Sequence, residues 1–85
     1  MTELYLQYAH HLIYGIRFYF YSLEGVEPMH IHVVKAEANG KIWIEPRIEV
    51  AYFHNFTKSE IKDIMEAIDT TISLIKTKWN EHFST

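Results

Sequence analysis

At residue 57 the hydrophobic repeat of this chain changes period, and that change limits its fold more than any other feature. Before it, apolar residues recur at every second position in short runs; after it, Ile61, Ile64, Met65, Ile68, Ile72, Ile75 and Trp79 recur at every third or fourth. A repeat of two places alternate side chains on opposite faces of a strand, whereas a repeat near 3.6 draws one stripe along a helix. Strands and a helix with one apolar face each must cover one another. The expected fold is therefore α+β, an antiparallel three- to four-stranded meander sheet packed on one long C-terminal helix.

The 85 residues suffice for one domain, mainly β over 1–56 and helical over 57–82. In the first strand Ile16, Phe18 and Phe20 share one face, and Arg17, Tyr19 and Tyr21 the other. The second, residues 29 to 33, sets Met29, Ile31 and Val33 against His30 and His32. Asn39-Gly40 carries the usual signature of a tight hairpin turn, after which residues 41 to 45 alternate as a third strand. A fourth short strand fits residues 48 to 52, with Ile48, Val50 and Tyr52 on one side and Pro46 marking an edge or bulge nearby. Residues 4 to 13 fit both periods and are read as an extended lead-in.

The helix start is marked by Thr57 and Glu60, which have capping-box spacing, and by Phe56 and Ile61, which sit where a hydrophobic staple would lie. Acids gather early and Lys76 and Lys78 late, complementing the helix dipole. A straight helix of this length would reach about 36 Å, longer than the strands beneath it.

Composition narrows the function classes. Cysteine is absent, so disulfides and thiolate zinc sites are excluded, and a reducing, cytoplasmic setting is expected. No apolar run approaches the ~18 residues that cross a bilayer, so no membrane partner is expected. The net charge is −3, and neither half of the chain is basic: Arg17, Lys35, Lys41 and Arg47 face six glutamates before residue 57, and four bases face five acids after it. Nucleic acid is a possible partner that this charge distribution does not favour, because nonspecific affinity for it comes from phosphate neutralisation.

If the helix covers one face of the sheet, the other presents Arg17, Tyr19, Tyr21, His30, His32, Lys41, Trp43 and Glu45. That set is too aromatic for a plain solvated surface and too polar for a second core. Cross-strand stabilisation is the plainest explanation; a binding face for a small partner protein or a homodimer is the next, followed by a catalytic or ligand site. His30 and His32 leave the same face about 7 Å apart at Cα, which leaves three readings open. They could hold a divalent metal with Glu45 as third ligand, although two histidines are an incomplete set and no metal or other cofactor is expected. They could act as the acid and base of a metal-independent ribonuclease, with Arg17 or Lys41 stabilising the charge that develops on phosphorus. Or they could be structural. His54, just ahead of the helix, reads as a loop histidine. No phosphate loop, nucleophile elbow or zinc-protease helix is present in the sequence.

The segments running from Gly15 to Ser22, from Glu27 to Val33, from Lys41 to Pro46 and from Trp79 to Phe83 together resemble the small bacterial family called domain of unknown function 4160, over roughly residues 13 to 83. The most specific of them is the proline turn leading into His-x-His. Family members show two prolines before the first histidine, and here Met29 stands in place of the second. The resemblance implies a bacterial origin and an arrangement similar to a toxin–antitoxin gene pair. It carries over Pro28, His30 and His32 without a catalytic role. On both grounds the expectation is a non-enzymatic interaction module, with a toxin-like ribonuclease and a histidine-based metal-binding domain as alternatives.

Overall fold

The computed structural model describes residues 3–4, 15–21 and 27–83, with side chains for 15–19 and 27–81. The expectations for residues 5 to 13, for the turn ahead of Glu27 and for the side chains of Phe20 and Tyr21 fall outside the described residues. The elements are β1 (Glu3–Leu4), β2 (Arg17–Tyr21), β3 (His30–Lys35), β4 (Ala38–Trp43), β5 (Glu49–His54), α1 (Lys58–Thr70) and α2 (Ile72–Phe83). Strands β2 to β5 form an antiparallel meander, and the two residues of β1 pair with β2, giving the order β1-β2-β3-β4-β5. The class is α+β, as the change of hydrophobic period requires.

The register keeps the two faces apart as the alternation predicts. Phe18 lies opposite Val33 and Ile31 opposite Ile42, whereas Tyr19 lies opposite His32 and His30 opposite Trp43. The core is built from Ile16, Phe18, Ile31, Val33, Ile42 and Ile44 of the sheet with Ile64, Ile68, Ile75 and Trp79 of the helices. Burying each such aliphatic side chain contributes about 1.5–3 kcal/mol, so this face and the helical stripe stabilise each other.

The hairpin turn is not at Asn39-Gly40. Lys35 pairs with Ala38, so Ala36 and Glu37 make the turn, with Ala36 at φ 52°, and Asn39 and Gly40 lie inside β4. Gly40 is needed there for a different reason. A Cβ on it would stand 2.6 Å from Cδ1 of Phe53 and 3.0 Å from the carbonyl oxygen of Tyr52, so only glycine lets β5 lie this close.

The single long helix is also corrected, because it is divided at Thr71. Both threonine hydroxyls donate back to carbonyls of the preceding turn, Thr70 to Glu66 at 2.8 Å and Thr71 to Ala67 at 2.7 Å. The Thr71 N–H is shared between the carbonyls of Ala67 and Ile68. Two such back-bonds in succession mark the break between the helices, where Thr71 takes φ −111° and ψ 19°. The two helices reach opposite ends of one strand. Glu60 of α1 is bonded to Lys35 at one end of β3 and Trp79 of α2 meets His30 at the other. Six strand residues span only about 17 Å. The nineteen steps from Glu60 to Trp79 would span about 28 Å if straight.

The helix start agrees with the capping-box spacing. Thr57 Oγ1 accepts from the Glu60 N–H at 3.1 Å and Glu60 Oε1 accepts from the Thr57 N–H at 2.9 Å. Phe56 packs edge to face on Phe53, with 5.8 Å between centroids.

Candidate functional site: a buried histidine–aromatic cluster

Alternation along β3 sends His30 and His32 to the face opposite Ile31 and Val33, and the neighbouring strands bring Tyr19, Lys41 and Trp43 to the same side. The rings then assemble around the histidines. Tyr19 stacks on His32 at 5.3 Å with 22° between planes. His30 meets His32 at 5.2 Å, Trp43 at 5.4 Å and Trp79 at 5.1 Å, in each case edge to face. Edge-to-face geometry directs the positive rim of one ring at the negative face of another, which adds about 0.5–1.5 kcal/mol per pair beyond area burial.

The expectation of an open histidine pair is corrected by this packing: His30 is 0% exposed and His32 8%. The cause is distant in sequence, since Trp79 of α2 packs on His30 at the start of β3. The proline turn sets the orientation of His30. Its Nδ1 lies 2.8 Å from the Pro28 carbonyl oxygen, which can only accept, so Nδ1 carries a proton and donates it to that oxygen. Nε2 is sequestered from solvent.

Charge is arranged at the margin of the cluster. Lys41 Nζ donates to Glu27 Oε1 at 3.1 Å and lies 4.3 Å above the Trp43 ring. The same Glu27 oxygen stands 3.7 Å from His30 Nδ1. Lys41 is thereby committed to a carboxylate and a ring. Arg17 lies on the same face and is exposed.

Glu45 is not part of this group. It follows the last pair of β4, where its N–H and that of Ile44 donate to the Met29 carbonyl, and its carboxylate accepts from Lys76 of α2 at 3.2 Å. That placement removes it as a third ligand beside the histidines. Among the described residues no three of His, Cys, Asp and Glu stand where they could hold one metal ion.

Two residues join the face that strand alternation alone had not placed there. Lys41 pairs with Tyr52 and Ile42 with Val50, so Ala51 is an extra residue in β5. The bulge shifts the phase of the strand, moving Tyr52 from the side of Val50 to the side of Lys41. His54 follows it opposite Asn39, 5.1 Å from the Tyr52 ring. It is a strand residue on the histidine face, not a loop residue. Pro46 was the sequence signal for irregular pairing nearby, but it did not locate the extra residue.

At the other end of β3 lies an open cleft of about 370 Å³, lined by Lys35, Ala36, Glu37, Ala38, Asn55 and Glu60. Its cation and anion satisfy each other, Lys35 Nζ donating to Glu60 Oε2 at 2.8 Å. That hydrogen bond, with the one from the Thr57 backbone, holds the Glu60 carboxyl below its ordinary pKa of 4.5.

Fold and site together define a small α+β domain whose antiparallel meander is filled on one face by isoleucines and on the other by a histidine–tryptophan cluster entered through a proline turn. The chain belongs to the family described as Domain of unknown function (DUF4160), whose model matches residues 15–80. No curated protein and no solved structure matches significantly. Among the described residues no helix is long and apolar enough to cross a membrane.

Proposed function

We propose that this chain is a non-enzymatic, cytoplasmic interaction module that binds a small partner protein through the outer face of its sheet. The observation supporting this is the make-up of that face. Arg17, Tyr52 and His54 are exposed on the same side of the sheet as His30, His32 and Tyr19, whose rings pack against one another. A packed aromatic cluster flanked by exposed arginine and tyrosine resembles the anchors of protein interfaces, where little side-chain entropy remains to be lost on binding.

The burial of both imidazoles favours binding over cleavage. A general acid or base must come within hydrogen-bond reach of the group it serves. His30 Nδ1 is engaged with Pro28, and its Nε2 offers no surface to an external phosphodiester. The gene-pair arrangement implied by the family resemblance makes the product of an adjacent small gene the partner to test.

Titration calorimetry with that product is expected to show binding by the wild type and at least a tenfold loss on Arg17→Glu. Lys62→Glu, on the exposed side of α1, is expected to bind normally. RNA cleavage by the wild type in chelator that disappears in His32→Ala would replace this reading with the ribonuclease.

A further inference from the structure

Among the described residues β5 pairs with β4 on one side and with no strand on the other, so it is an edge of the sheet. Edge strands of soluble domains are commonly shortened, charged or covered, because an open row of main-chain donors and acceptors invites another strand. This edge has a bulge at Ala51, but at six residues it is not short, and it is flanked and lined by apolar side chains. Among the described side chains four large hydrophobic residues are exposed; Ile48 at 36%, Val50 at 42% and Tyr52 at 39% lie on this strand or just before it, and the fourth is Leu74.

We propose that β5 pairs antiparallel with β5 of a second copy of this chain, joining two sheets across a two-fold axis. The segment is self-complementary, which favours a second copy over an unrelated strand. Full overlap of two copies places Glu49 opposite His54, Val50 opposite Phe53 and Ala51 opposite Tyr52. The bulge decides whether such pairs match. Pairing with β4 puts Glu49, Tyr52 and His54 on the histidine face, and Val50 and Phe53 on the face of the helices. In the fully overlapped register Glu49 and His54 therefore meet on one face and Val50 and Phe53 on the other. A shift of one residue either way sets residues of opposite faces against each other and breaks the match.

The chemistry of each pair agrees with the geometry. A carboxylate on Glu49 accepts the imidazole N–H of His54 from the other copy, and two-fold symmetry makes this contact twice. Val50, exposed in the single chain, gains an aromatic neighbour. Ala51 leaves room at the axis for Tyr52. The contact forms along the edge and engages Tyr52 and His54, but it does not involve Arg17, which lies on β2 at the far side of β3 and β4.

The absence of cysteine makes the register directly testable. Sedimentation of the full chain is expected to show a dimer, and Val50→Lys is expected to raise its dissociation constant at least tenfold, acting once in each copy. Far-UV circular dichroism should be unchanged by that substitution. Mixing Glu49→Cys protein with His54→Cys protein and oxidising should give disulfide-linked dimers, whereas neither alone should link efficiently. A wild-type chain that sediments as a monomer up to about 100 µM overturns the proposal. So does a dimer that Val50→Lys leaves intact, or one in which His54→Cys links to itself. Arg17→Glu should not alter the dimer, which separates this test from that of partner binding.

Discussion

The rings of His30 and Trp79 meet edge to face at 5.1 Å, joining the first residue of β3 to the penultimate turn of α2. This contact ties the two halves of the molecule together, because Trp79 also belongs to the isoleucine core and His30 to the aromatic cluster on the other face. Removing the ring should therefore cost core packing and expose the histidines in one step.

Trp79→Ala is expected to destabilise the fold by about 3–5 kcal/mol, the usual cost of truncating a buried tryptophan. For a domain of this size that is a large part of the total stability. Trp79→Phe, which keeps a ring in place, should lose less than half as much. Urea unfolding followed by circular dichroism measures both, and equal losses in the two variants would show that the ring contact matters little.

Gly40 provides a second test, one that distinguishes a packing glycine from a turn glycine. Gly40→Ala puts a methyl group 2.6 Å from Phe53 Cδ1 and 3.0 Å from a backbone oxygen that cannot rotate away. A loss of about 1–3 kcal/mol is expected from this overpacking. Combining it with Phe53→Leu should recover part of the loss, since the aromatic ring is the nearer obstacle. Additive losses in the double variant would place the cause in the backbone alone.

Ala36 bears the corresponding turn conformation without the residue that suits it. Its φ of 52° lies in the left-handed region, where a Cβ crowds the following carbonyl. Ala36→Gly is expected to stabilise the hairpin by about 0.5–1 kcal/mol, the relief of strain exceeding the extra freedom glycine gives the unfolded chain. Asn55 has a similar φ of 67°, but asparagine tolerates it, so Asn55→Gly should change stability by only a few tenths of a kcal/mol. Thermal melts of the two variants give the comparison.

These positions also show what the sequence made legible. The face assignments of Phe18, Ile31, Ile42, Tyr19, His32 and Trp43 follow from alternation, which needs only neighbours two residues apart. The Thr57–Glu60 capping box was readable for the same reason, since its partners lie within one turn. Gly40 was misread because the side chain that requires it, Phe53, is thirteen residues away and a local turn rule cannot register it. The bulge at Ala51 re-phased Tyr52 and His54 through pairing with β4, again a non-local cause. The seclusion of His30 depends on Trp79, whose helical stripe gave no sign that it would reach the start of β3. The division at Thr71 did have a local signal in the consecutive Thr70 and Thr71, but the continuous isoleucine stripe concealed it.

Glu60 connects stability to pH. It closes the capping box with Thr57 and accepts from Lys35, so helix α1 and strand β3 share one carboxylate. Its pKa in the folded chain is lowered, first by the hydrogen bond from Lys35 and then by that from the Thr57 backbone. A carboxyl with a depressed folded pKa stabilises the fold fully above its unfolded value, and that contribution fades as pH falls through the folded one. The unfolded value is near the ordinary 4.5, so the contribution is complete at neutral pH and is lost below that value. Glu60→Gln should thus lower stability at pH 7 while flattening the acid limb of the stability curve, so that the two proteins converge at low pH. Thr57→Ala removes the other half of the box and should cost about 1 kcal/mol. The linked variable is the slope: denaturation midpoints measured from pH 7 down to about pH 2 should fall less steeply for Glu60→Gln than for the wild type. Parallel curves would mean that the Lys35–Glu60 contact does not persist in solution.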